Sequence, residues 1–115
     1  MKHNQIAVNG DKIVNVNVAV LFFKLPKQDT VFAECPSLGI TTYGNTLTEA
    51  KKMFEEAFSL WLETVNEECS IHQVLKELGW KLTSRQAKPA PVDYSKVPLH
   101  LLDITTKEIL IPAGV

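Results

Sequence analysis

The run from Val14 to Phe23 constrains this chain more than any other segment. Val14, Val16, Val18, Val20 and Phe22 share one face of a long strand, because successive strand side chains point to opposite faces of a sheet. The other face begins polar at Asn15 and Asn17 and turns apolar at Ala19, Leu21 and Phe23. The second half of the strand is therefore apolar on both faces, and something must cover each. A two-layer α+β arrangement covers one face with a helix and leaves the other to a returning tail or a second protomer.

The neighbouring segments supply the rest of a sheet. Pro26-Lys27-Gln28-Asp29 is a turn, and Thr30–Cys35 reads as the next antiparallel strand. Pro36-Ser37-Leu38-Gly39 breaks it, and Ile40–Tyr43 forms a short third strand ending at Gly44. Upstream, Asn9-Gly10 between apolar residues predicts an N-terminal hairpin extension over residues 1–13.

Thr46-Leu47-Thr48-Glu49 is a capping box, in which the Thr46 hydroxyl accepts from the Glu49 amide and Glu49 reaches back. Leu47, Ala50, Phe54, Ala57, Trp61 and Val65 then recur at helical spacing, predicting a helix to about Glu68. Ser70-Ile71-His72-Gln73 opens a shorter second helix that Gly79 stops. Trp80-Lys81-Leu82 reads as a short returning strand, followed by an extended connector with Pro89, Pro91 and Pro98. At least Glu108–Ile111 is a final strand. The expected class is α+β, with an antiparallel three- to four-stranded sheet in the order β-β-β-α-α-β and one main helix on one face. Residues 1–83 form the domain, and residues 84–115 the connector and extra C-terminal strand.

Charge is uneven. The 115 residues carry a net charge of -1, yet residues 45–79 hold three basic and seven acidic side chains. An acidic element suits a basic partner, and the near-neutral total lacks the basic footprint of a nucleic-acid binder. The longest apolar run, Val18–Phe23, is six residues, far short of the roughly 20 that span a bilayer. With no secretion-like apolar core at the N-terminus, the expected compartment is the cytoplasm. Cys35 and Cys69 lack a second close pair and read as reduced thiols; Cys69-x-x-His72 lacks the remaining ligands of a structural zinc site.

The catalytic inventory is thin. His3, His72 and His100 have no nucleophile at meaningful spacing and read as surface or capping residues. The five glycines are isolated, so no phosphate loop is present. Glu34, Asp29 and Glu108 are the strand-associated acids, fewer converging carboxylates than a Mg²⁺ nuclease requires. No catalytic, metal or cofactor residue is assigned, and the chain reads as a binding protein rather than an enzyme.

The stretch Val31–Ala50 resembles the HicB-like antitoxin family: an apolar strand, a Pro–Leu–Gly turn, a short strand, then Gly-Asn-Thr leading into a helix with Glu-Ala in its first turn. The matching positions are Pro36, Leu38, Gly39, Gly44, Asn45, Thr46, Glu49 and Ala50, and Glu77-Leu78-Gly79-Trp80 resembles the segment that commonly ends the second helix in that family. The likeness covers about residues 14–83. It implies a partial ribonuclease-H-like domain without catalytic carboxylates. It also implies a small basic HicA-type mRNA-cleaving toxin as partner, neutralised by covering the toxin's active site. Partner-binding candidates are Glu55, Glu56, Glu63 and Trp80; candidates for a homodimer or higher-oligomer interface are Ala19, Leu21, Phe23, Ile109 and Ile111. The alternatives are a solitary homo-oligomer and an autorepressor binding operator DNA. The tail departs from the capped DNA-binding helices of many members, leaving Lys81, Arg85, Lys88 and Lys96 as the support for DNA.

Overall fold

A computed structural model describes residues 13–68, 71–83, 86–91 and 100–112. In chain order these form β1 (Ile13–Lys24), β2 (Val31–Cys35), a 3₁₀ turn (Pro36–Leu38), β3 (Ile40–Gly44), α1 (Leu47–Glu67), α2 (Ile71–Glu77), β4 (Lys81–Leu82), β5 (Ala87–Lys88) and β6 (His100–Pro112). The main sheet has the order β3-β2-β1-β6, antiparallel throughout. The class is the α+β arrangement expected from the pattern, with α1 as the main helix and α2 as a short second one. The expected N-terminal hairpin lies outside the described residues, as does Cys69. Among the described residues no helix is long and apolar enough to cross a membrane.

One expectation is corrected, and another, the final strand over at least Glu108–Ile111, is met and extended. Lys81–Leu82 does not return to the main sheet; it pairs with Ala87–Lys88 in a separate two-stranded sheet. The Thr83 hydroxyl accepts from the Gln86 amide at 3.0 Å, and the Thr83 amide donates to the Gln86 carbonyl at 2.8 Å, so local bonds close this hairpin. The connector thus contains β5. The last strand is also longer than its apolar tip, running beside β1 from Ile13↔Pro112 to Lys24↔His100, with a bulge opposite Phe22/Phe23. Backbone pairing carries the polar Asp103, Thr105 and Thr106 into the sheet.

The alternation in β1 sorts the two faces as expected. Val18, Val20 and Phe22 enter one core with Val31, Ala33 and Cys35 of β2 and with Ala50, Phe54, Phe58 and Val65 of α1. Each large apolar side chain so buried contributes roughly 1.5–3 kcal/mol. Phe54 and Phe58 stack at 6.1 Å between ring centroids. Two lysines tie α1 to the outer strand β6. Lys51 bonds Asp103 at 2.7 Å and lies 5.6 Å from the Phe22 ring; Lys107 pairs with Glu55 and lies 5.0 Å from the Phe58 ring.

The motif residues shape the start of α1. Pro36 opens the 3₁₀ turn, Leu38 is buried, and Gly39 adopts φ 68°, a left-handed conformation that glycine takes without strain. At Gly44 a Cβ would stand 2.7 Å from the Ala50 nitrogen, so only hydrogen lets the end of β3 meet the first turn of α1. The Thr46 hydroxyl accepts from the Glu49 amide at 3.1 Å. Glu49 accepts from the Asn45 amide at 2.6 Å, one residue earlier than an ordinary capping box places that bond.

α2 ends in a Schellman motif. The Trp80 amide donates to Leu75 at 2.9 Å and the Gly79 amide to Lys76 at 3.0 Å, with Gly79 at φ 90°. This turn sends the Trp80 side chain inward.

Candidate partner-binding surface

α1 crosses the sheet with its apolar stripe down, and that leaves Glu56, Leu60, Glu63 and Glu67 in line along its outer side, at steps of three and four residues. Glu56 and Glu63 are exposed, and among the described residues neither makes an ion pair. Leu60 is 63% exposed, an unusual position for so large an apolar side chain between two carboxylates. Glu55, one step round the helix, is instead engaged by Lys107.

Leu60 is shared by two depressions. The shallower one, about 420 Å³, is lined by Glu55, Glu56, Ser59, Leu60 and Glu63. The deeper one, about 480 Å³, lies between the C-terminal half of α1, the edge strand β3 and α2; Ile40, Ala57, Leu60, Trp61 and Val74 form its apolar wall and Glu68 its rim. Among the described residues, no lysine or arginine lines either one. The last turn of α1 likewise has no basic residue to offset the negative end of the helix dipole.

Trp80 belongs elsewhere. It is 4% exposed, and its Nε1 donates to the Ser37 carbonyl at 2.6 Å, so it is a core residue and not a partner contact. The expected interface set also divides. Ile109 and Ile111 are wholly buried in the core on the helix side. Ala19, Leu21 and Phe23 alternate onto the other face, where Ala19 is exposed and Leu21 and Phe23 are buried. The five residues form no common surface, because register with β1 places Ile109 opposite Val16 and Ile111 opposite Val14.

The other sheet face carries apolar residues that single-strand periodicity does not bring together. Phe23 stands opposite Phe32 and Leu101, Leu21 opposite Ile104, and Phe32 opposite Tyr43. Phe23 and Phe32 stack at 5.7 Å, and Phe32 meets Tyr43 at 6.5 Å. Tyr43, Leu101 and Ile104 are 65%, 44% and 53% exposed. Glu34 shares this face, accepting from the Thr41 hydroxyl at 3.4 Å.

Other chemistry-bearing residues are dispersed. Glu108 accepts from Asn15 at 2.8 Å. Among the described residues no three histidines, cysteines or acids come together. Cys35 is wholly buried, and its burial pushes the thiol up to about 11. The Lys51 ammonium, hydrogen-bonded to Asp103, holds that carboxyl below its ordinary range.

Compared with known protein families, with curated proteins and with solved structures, the chain has no match.

Proposed function

We propose that this chain is a non-enzymatic binding protein of HicB-like antitoxin type, which neutralises a small basic HicA-type ribonuclease by covering its active site. The observation that carries this reading is the outer side of α1, where Glu56 and Glu63 flank the exposed Leu60. A surface of unneutralised carboxylates around an apolar centre suits a cationic protein, since charge steers encounter and apolar contact holds it. The likeness over Val31–Ala50 supplies the class of that partner, and the motif residues act in turns and capping rather than in chemistry. Co-expression with a small basic protein encoded beside this chain, followed by pull-down and a growth assay, tests the reading. Capture with growth rescue is the expected result; growth arrest without capture overturns it.

A second reading, a solitary homo-oligomer, is favoured by the exposed Tyr43, Leu101 and Ile104 beside Phe32. Apolar surface of this kind commonly marks an interface. Light scattering of the purified chain and of Ile104→Glu tests it: a wild-type dimer that the substitution splits supports it, and a wild-type monomer removes it. Operator DNA is the remaining alternative, tested by a gel shift at low salt.

A further inference from the structure

We infer that β6 is the edge through which two copies of this chain join, antiparallel about Thr105, so that their two four-stranded sheets become continuous. The inference rests on the self-association reading above and deepens it, naming the strand, the register and the charges that select the occupant.

Charge order selects a second copy. Along β6, Asp103, Thr105 and Lys107 face the helix side, opposite Phe22, Val20 and Val18 of β1. Thr105 is thus the midpoint between one acid and one base on a single face. When two such strands run antiparallel with Thr105 opposite Thr105, each Asp103 meets the Lys107 of the other copy. Opposite charges directly across a ladder attract, and like charges repel. A slip of two residues loses both pairs, and a slip of four sets Asp103 against Asp103 or Lys107 against Lys107. A second copy carries the inverse charge order by symmetry, as an isologous contact requires. Both side chains are already held on the helix side: Lys51 bonds Asp103 at 2.7 Å, and Glu55 engages Lys107. Across the junction the signs then alternate, from Lys51 and Asp103 to the second copy's Lys107 and Glu55.

The strand suits such pairing. Among the described residues β6 pairs with β1 alone. Ile104, Thr105 and Thr106 are β-branched, a type that favours strands, and all three are exposed although they alternate between the two faces. Thr105 lies on the helix face, so its exposure leaves room beside it that α1 does not fill. Edge strands are commonly guarded by a free lysine, a proline or a bulge. In β6 the bulge precedes Asp103, Pro112 stands at the far end, Lys107 is turned to Glu55, and the register from Asp103 to Ile111 is unbroken.

The opposite face gains as well. In this register Ile104 stands across from Thr106 of the second copy and diagonal to its Ile104, within reach of long side chains. That contact covers an apolar side chain that is 53% exposed in the single chain.

Sedimentation velocity and light scattering of the full chain test the inference, and a concentration-dependent dimer is expected. Asp103→Lys and Lys107→Glu each set like charges across the junction and are expected to weaken the dimer by roughly tenfold or more. Circular dichroism verifies that both variants fold. Mixing the two restores opposite charges, and a dimer containing one of each is expected to return. Thr105→Cys in a Cys69→Ser background reads the register, because directly opposed strand residues lie within disulfide reach; mild oxidation is expected to link two copies. A dimer that neither charge variant weakens, or folded variants that stay monomeric when mixed, overturns the proposal. So does linkage through Thr41→Cys on β3 instead of Thr105→Cys, which assigns the junction to the other edge. A dimer split by Ile104→Glu but indifferent to both charge variants removes the β6 junction alone. A wild-type monomer removes the self-association reading and the junction with it.

Discussion

The indole nitrogen of Trp80 donates to the carbonyl oxygen of Ser37 across 2.6 Å, joining the end of the α2 segment to the turn before β3. These residues are 43 positions apart, and the bond is part-buried. It fastens the helical layer to the end of the sheet that lines the deeper depression.

Trp80→Phe keeps a ring in the core but leaves the Ser37 carbonyl without its donor, and the expected loss is about 1–3 kcal/mol. Trp80→Ala adds a cavity and should cost about 3–5 kcal/mol. Urea unfolding followed by circular dichroism measures both. A Trp80→Phe protein as stable as wild type would show that the hydrogen bond contributes nothing net.

At Gly44 the obstacle to a side chain is backbone, which no rotamer change relieves. Gly44→Ala places a Cβ 2.7 Å from the Ala50 nitrogen and should cost about 1–3 kcal/mol by overpacking. Thr46→Ala removes the nearby helix cap and should cost about 1 kcal/mol. Thermal denaturation ranks the two, with Gly44→Ala expected to be at least as damaging.

The Asp103 carboxyl titrates below its ordinary value of 3.8 in the folded chain, first because Lys51 donates to it. A depressed carboxylate adds stability above its unfolded value, and that contribution is lost as pH falls through the folded one. The wild type should therefore lose more stability than Asp103→Asn between about pH 5 and about pH 3. Denaturant midpoints at the two pH values check this; parallel losses would sink it.

Cys35 behaves in the opposite sense. The unfolded thiol ionises near 9.0 and the native one only near 11, because burial disfavours the thiolate. Above 9.0 the unfolded state releases a proton that the native state keeps, so stability falls as pH rises through this interval. Cys35→Ala should flatten that fall. In the native chain at neutral pH, Cys35 should resist a thiol reagent that labels it fully in denaturant, as located by peptide mass mapping.

Much of the local architecture was legible because it is written in adjacent residues. The capping threonine, the glycines at φ 68° and φ 90°, and the alternation of Val18, Val20 and Phe22 each act over a few positions. Less of the surface was legible. Trp80 beside a helix stop reads equally well as an exposed contact or a core residue, until the Schellman turn aims it at Ser37. Ile109 and Ile111 carry an apolar strand pattern that does not say which face of the sheet they meet. Registry with β1 decides that, and it puts them under the helix.

Periodicity, capping and turn chemistry thus determined that this chain makes a meander and then a capped helix carrying excess acid on its outer side. The tertiary structure alone decided that Leu60, Trp61, Ile40 and Val74 share one groove, and that Phe23, Phe32 and Tyr43 line up across three strands. The physical reason is range. A dihedral preference or a cap is settled by neighbours in the chain, whereas a surface is made by segments that meet only when strand register and helix packing bring them together.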